Sequence, residues 1–136
     1  MQHHLAILLP EYLEMILSGR KTVECRLAQR PIPPHGSVRL NDLIWLKRSG
    51  GPICGVAQAG RVHGYRDLDT ATLRRLRRDH GKAICAEPRF WQVHRRDRYA
   101  TLIWLKDVKT LPPFRIDKTD RRAWVVLPGP PVPKPA

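Results

Sequence analysis

The segment Gly19-Arg20-Lys21-Thr22-Val23-Glu24-Cys25-Arg26 brings together cations able to hold an anion and a carboxylate able to take a proton. In an extended chain, Val23, Cys25 and Leu27 turn to one side and Thr22, Glu24 and Arg26 to the other, with Lys21 at the mouth. Such a face is costly to bury unless every charge finds a partner. It therefore lines a wet groove, forms an internal ion-pair network, or is the plain solvent face of an alternating strand. In a groove, Lys21 and Arg26 suit a phosphate or a carbonyl oxygen. Glu24 can act as a base, accept from an amino group, or only hold Arg26 in position.

The flanking sequence predicts how this segment is positioned. Residues 5–9 are an apolar run that reads as a buried strand. Pro10 then suits the first turn of a helix and Glu11 its positive end. Leu13, Ile16 and Leu17 supply the apolar face, and Gly19 the stop, giving a helix over residues 10–18. After a Pro-rich loop at residues 31–36, residues 38–46 and 53–63 read as strands joined by the turn Ser49-Gly50-Gly51-Pro52. Asp69 or Thr70 caps a helix over residues 70–79 that ends by Gly81, with Leu73 and Leu76 facing inward. Residues 82–94 are helical or irregular and broken at Pro88. Residues 99–108 and 123–127 return to strand. Six strands interrupted by two or three short helices indicate a small α+β or barrel-like domain.

The chain has 136 residues, one domain's worth, and enough apolar sequence for a core without disulfide or metal staples. No apolar run approaches the roughly 20 residues of a membrane span, so no membrane partner is expected. A formal net charge of +13 favours polyanions. The excess is uneven: residues 1–68 carry 9 basic and 5 acidic groups, residues 69–136 carry 16 and 7. Arg74, Arg75, Arg77 and Arg78 on the second helix, and Arg95, Arg96 and Arg98 after it, are dense enough to contact phosphates.

Cys25, Cys54 and Cys85 form no Cys-x-x-Cys pair, and no signal segment opens the chain, which together indicate a reduced, cytoplasmic protein. His3 and His4 have no cysteine or carboxylate cluster to join them as metal ligands and read as an exposed strand end. Neither metal nor cofactor is expected. Trp45, Trp104 and Trp124 lie in apolar strand patterns and are expected in the core, with Trp91 undecided. Residues 128–136, five of them proline, read as a flexible tail behind a domain over residues 1–127.

From Leu5 to Arg26 the sequence resembles the opening of an ASCH domain, named for homology to activating signal cointegrator 1. The hallmark Gly-x-Lys-x-x-Glu-x-Arg stands here as Gly19, Lys21, Glu24 and Arg26. Residues 98–108 and 122–127 are similar to the closing strands of such domains, so the resemblance spans residues 5–127. It implies a PUA-like fold, a small β-barrel with flanking short helices and a cleft facing RNA or a modified nucleoside. On this resemblance Lys21, Glu24 and Arg26 line the cleft with Arg20 and Thr22 beside them, and Tyr12 packs under it or stacks on a base.

The family also includes enzymes. Small bacterial amidohydrolases acting on N4-acetylcytidine resemble Gly-Arg-Lys-Thr-x-Thr-x-Arg, with the second Thr as nucleophile. Glu24 stands at that position here, and a carboxylate does not replace a hydroxyl nucleophile in this attack. Thr22 is displaced about 6–7 Å along the strand. A ribonuclease would use Lys21 to stabilise a phosphorane and Glu24 to move a proton. The resemblance thus implies an RNA- or nucleotide-binding protein, or alternatively a hydrolase with Lys21, Glu24 and Thr22 as its catalytic residues.

Overall fold

Alternating apolar residues build six strands, and three short helices connect them, in a computed structural model that describes residues 1–118 and 120–135. The order is β1 (His3–Leu8), α1 (Pro10–Leu17), β2 (Val23–Ala28), β3 (Leu43–Arg48), β4 (Ile53–Tyr65), α2 (Thr70–Ile84), α3 (Pro88–Val93), β5 (Tyr99–Phe114) and β6 (Trp124–Leu127). All six strands form one sheet, ordered β2-β5-β4-β3-β1-β6. Neighbours are antiparallel except β1 and β3. The long β4–β5 pairing slips register at three places, and Asp107 sits at one of them with φ 51. Bulges of this kind bend a strand and tighten its twist. The sheet therefore curls into a half-barrel, giving an α+β fold with short helices as expected.

The pleat sorts side chains onto the two faces. On β5, Ala100 and Leu102 join Val23, Cys25 and Leu27 of β2 against Leu73, Leu76 and Ile84 of α2. Ile103 faces the other way and packs with Ala6, Leu46 and Trp124. Register then places Glu24 opposite Ile103 and Arg26 opposite Thr101, so the polar face of β2 shares its side of the sheet with Trp124.

Several local expectations need correction. The second helix runs past Gly81 to Ile84, because Ile84 is buried with Leu73 and Leu76 and the left-handed cap falls on Cys85 at φ 57. Pro88 opens α3 instead of breaking a helix, since its missing N–H costs nothing in a first turn. The strand expected from residue 38 begins at Leu43, after a run of turns. His4 is completely buried, and His3 half-buried, because β1 is flanked by β3 and β6 and is no edge. Trp124 is buried as expected and so is Trp91, whereas Trp45 and Trp104 are half-buried. Among the described residues no helix is long and apolar enough to cross a membrane, and no three His, Cys, Asp or Glu residues are placed to hold a metal ion. The Pro-rich segment passes beside residues 115–117, with the Lys134 amide donating to the Arg115 carbonyl at 2.6 Å. Ala136 lies outside the described residues.

His4 joins three parts of the chain. Trp124 Nε1–H can only donate, and it does so to His4 Nδ1 at 3.1 Å. His4 Nε2 therefore carries the ring proton and donates to Asp42 Oδ2 at 2.9 Å. Asp42 also accepts from the Gln2 and Arg39 amides, at 3.0 and 2.9 Å. Burial alone would raise the Asp42 carboxyl, but these hydrogen bonds outweigh it and hold the group below its ordinary 3.8. A carboxyl lowered on folding adds stability above its ordinary value and loses it as pH falls through the folded value. Urea melts should show Asp42→Asn less stable than wild type by about 2 kcal/mol near neutral pH. That gap should narrow as pH falls below the ordinary 3.8 and through the lowered folded value, where wild-type Asp42 is protonated.

Candidate functional site

The two edges of the half-barrel, β2 and β6, do not pair with each other. Arg26 spans the gap. Its Nη2 donates to the Ile7 carbonyl at 2.9 Å and its Nη1 to the Ala123 carbonyl at 3.3 Å, with the guanidinium 5.3 Å from the centre of the Trp124 ring. Beside this strut a cleft of about 500 Å3 opens, within the roughly 300–1,000 Å3 of small-ligand sites.

Lys21 is positioned by the turn that ends α1. Gly19 adopts φ +83, a conformation glycine takes without steric cost, and the Lys21 amide bonds back to the Met15 carbonyl. The ammonium group is buried. It donates to the Ile84 carbonyl at 2.5 Å and the Val23 carbonyl at 3.2 Å, and lies 5.5 Å from the centre of the Tyr12 ring. A cation at the last turn of α2 meets the negative end of that helix. Lys21 thus ties α2 to β2.

Glu24 lies between the two cations, with Oε1 3.7 Å from Lys21 Nζ and Oε2 3.7 Å from Arg26 Nη2. Those separations give Coulomb attraction but are too long for hydrogen bonds. Oε1 accepts the Cys25 amide at 2.9 Å, while Oε2 is buried with no hydrogen-bond partner among the described residues. Cys25 itself points into the core beneath α2. Burial, reinforced by the Glu24 charge, pushes its thiol up to about 12, which leaves it an inert core side chain.

The cleft walls come from distant parts of the chain. Tyr12, Phe90, Tyr99 and Trp124 make much of the surface, with a loop containing the cis bond Pro33-Pro34 at one side. Two histidines also reach it. His94 Nδ1 is 2.6 Å from Asp97 Oδ2, and His35 Nδ1 is 3.5 Å from Thr101 Oγ1.

Of the residues expected at the site, Lys21, Glu24, Arg26 and Tyr12 meet in this cleft. Thr22 and Arg20 do not line it and are exposed. The Thr22 amide bonds to the Ala83 carbonyl, and the Arg20 carbonyl accepts from Cys85 Sγ. Arg74, Arg75, Arg77 and Arg78 are exposed on α2, and Arg95, Arg96 and Arg98 are exposed after α3. None of these seven lines the cleft, although α2 reaches it through Ile84 and the neighbouring α3 and its C-cap reach it through Phe90 and His94. Phe90, His35 and Arg122 also line it, and no local pattern marks them in the sequence. His94 and Asp97 stand three apart, a spacing that does suggest a side-chain pair.

The sequence matches the ASCH domain family over residues 7–115. No curated protein matches it. Among solved structures, an ASCH protein from Zymomonas mobilis superposes with a TM-score of 0.73 at 20% identity, covering 92% of this chain and 87% of that one. A tyrosine-to-phenylalanine variant of the Zymomonas mobilis protein gives 0.72 at 19% identity, covering 93% and 91%. At such identities the likeness speaks for the fold alone.

The strut role of Arg26 separates geometry from charge. Arg26→Lys keeps the charge but loses the two-pronged donor. Chemical denaturation should place it about 1–2 kcal/mol below wild type.

Proposed function

The chain belongs to the ASCH domain family, which is PUA-like and associated with RNA binding, and on that premise we propose that it binds RNA and seats a nucleotide in the cleft beside β2. The division of charge carries this reading. Lys21 and Arg26 spend their hydrogen bonds on main-chain carbonyls, so the cleft suits the flat, partly apolar body of a base. Cations for a phosphate backbone are offered by the exposed arginines of α2 and of the segment after α3, with Arg122, ion-paired to Asp120, at the cleft itself. Backbone contacts there position the strand, and the cleft selects what enters. We assign the binding unit to residues 1–127, with the Pro-rich residues 128–136 outside it. We place the protein in the reducing cytoplasm, where Cys25, Cys54 and Cys85 stay free.

A single observation favours a second reading, a ribonuclease working in the same cleft. Asp97 engages His94 Nδ1, which leaves Nε2 as the free ring nitrogen of a cleft-lining imidazole. An imidazole oriented this way is suited to take a proton from a ribose hydroxyl. The amidohydrolase reading gains no such support, since Thr22 lies outside the cleft.

Binding of a labelled single-stranded RNA should weaken linearly on a log–log plot against salt. The double variant Arg95→Ala with Arg96→Ala should shallow that slope by about 1.4, at roughly 0.7 per phosphate contact. Absence of binding at low salt would end the RNA reading. With the same RNA, cleavage that is present in wild type and lost in His94→Ala, while binding persists, would establish the nuclease. No cleavage by purified wild type would remove it.

A further inference from the structure

Within the β2 network both cations and the Cys25 amide have hydrogen-bond partners, but one buried carboxylate oxygen has none among the described residues. Lys21 binds the Ile84 and Val23 carbonyls, Arg26 binds the Ile7 and Ala123 carbonyls, and the Cys25 amide binds Glu24 Oε1. Glu24 Oε2 is buried and unpartnered among the described residues, on a side chain that lines the cleft. Leaving a buried acceptor unmade is expensive, more so when it is charged. Arg26 does not discharge that cost, because its Nη2 stays 3.7 Å away while it bonds the Ile7 carbonyl at 2.9 Å.

The unmet demand specifies its complement. A carboxylate oxygen takes only a donor, so a phosphate or a carbonyl oxygen is the wrong group to meet it. The walls around it include the rings of Tyr12, Phe90, Tyr99 and Trp124. The matching ligand is a flat ring with an N–H group projecting from its edge. Cytosine, adenine and guanine carry such a group as the exocyclic amine. Uracil does not: its one ring N–H is flanked by two carbonyl oxygens, which a carboxylate repels. We propose that Glu24 is a specificity-determining residue that accepts a hydrogen bond from the exocyclic amino group of a nucleobase, so that the cleft takes amino-bearing bases and rejects uracil. This rests on the RNA-binding reading above and deepens it.

The ligand can be changed without touching the protein. Wild-type affinity is measured for a cytidine oligonucleotide, a uridine oligonucleotide, and one built from 2-pyrimidinone ribonucleotides, which are cytidine without the amino group. Cytidine should bind at least about tenfold more tightly than either of the others, the effect of one hydrogen bond to a charged group. Glu24→Gln should reduce that ratio to below about threefold, weakening cytidine binding and strengthening uridine binding, because the removed charge is what uracil opposes and the amino group needs. Equal wild-type affinity for all three oligonucleotides overturns the assignment and leaves RNA binding standing. Binding of none overturns both. Should Glu24→Gln fail to fold, judged by its circular dichroism, the three-oligonucleotide comparison on wild type still decides the matter. A folded Glu24→Gln that keeps the full cytidine preference assigns the selectivity elsewhere.

Discussion

A curled sheet that stops short of closing leaves two strand edges with polar main-chain groups near each other, and such groups need partners. In this protein the Arg26 guanidinium supplies them. Its two arms reach the Ile7 carbonyl at the end of β1 and the Ala123 carbonyl just before β6. A side chain takes the place of the hydrogen bonds another strand would make. The cleft opens beside this side chain, which is among its lining residues.

The consequence for charge is a sorting by depth. The buried cations of the hallmark are tied to carbonyls, Lys21 at the end of α2 and Arg26 across the seam. The many other arginines stay exposed at the surface, where salt screens their charge. Between the buried cations lies Glu24, half satisfied. Buried charged networks are costly to assemble and costlier to break by removing one partner. Glu24 has the added property of lining a cavity large enough for a ligand, with one carboxylate oxygen buried and without a hydrogen bond among the described residues.

The opposite wall of the seam is held by a second polar network that meets the first on one residue. Trp124 donates its indole N–H to His4 and takes the Arg26 guanidinium over its ring. His4 in turn is fixed by Asp42, which also gathers the Gln2 and Arg39 amides. The shape of the cleft and the stability of the β1–β3–β6 side are therefore coupled through a single buried side chain.

Local sequence determined the elements and the polar strand. Alternation along Val23 to Leu27, the proline at the start of α1 and the glycine after its end are short-range signals, because they depend on backbone geometry over a few residues. Lys21, Glu24 and Arg26 could be picked out for the same reason, since they lie in the turn after one helix and the strand that follows it, whereas Tyr12 was marked only by the family resemblance. The ends of elements were less legible. Ile84 extended α2 beyond Gly81 because its burial against β2 outweighs a glycine's weak local preference. Only tertiary structure decided what the hallmark charges do. The carbonyls of Ile84, Ile7 and Ala123, and the cleft walls at His35, Phe90 and His94, come from segments far apart in the chain, and no periodicity brings them to Glu24. Hydrogen-bond partners and burial are properties of the folded neighbourhood. The sequence could thus nominate three charged residues, but only the fold could show that two of them are spent on the protein itself and one is left over.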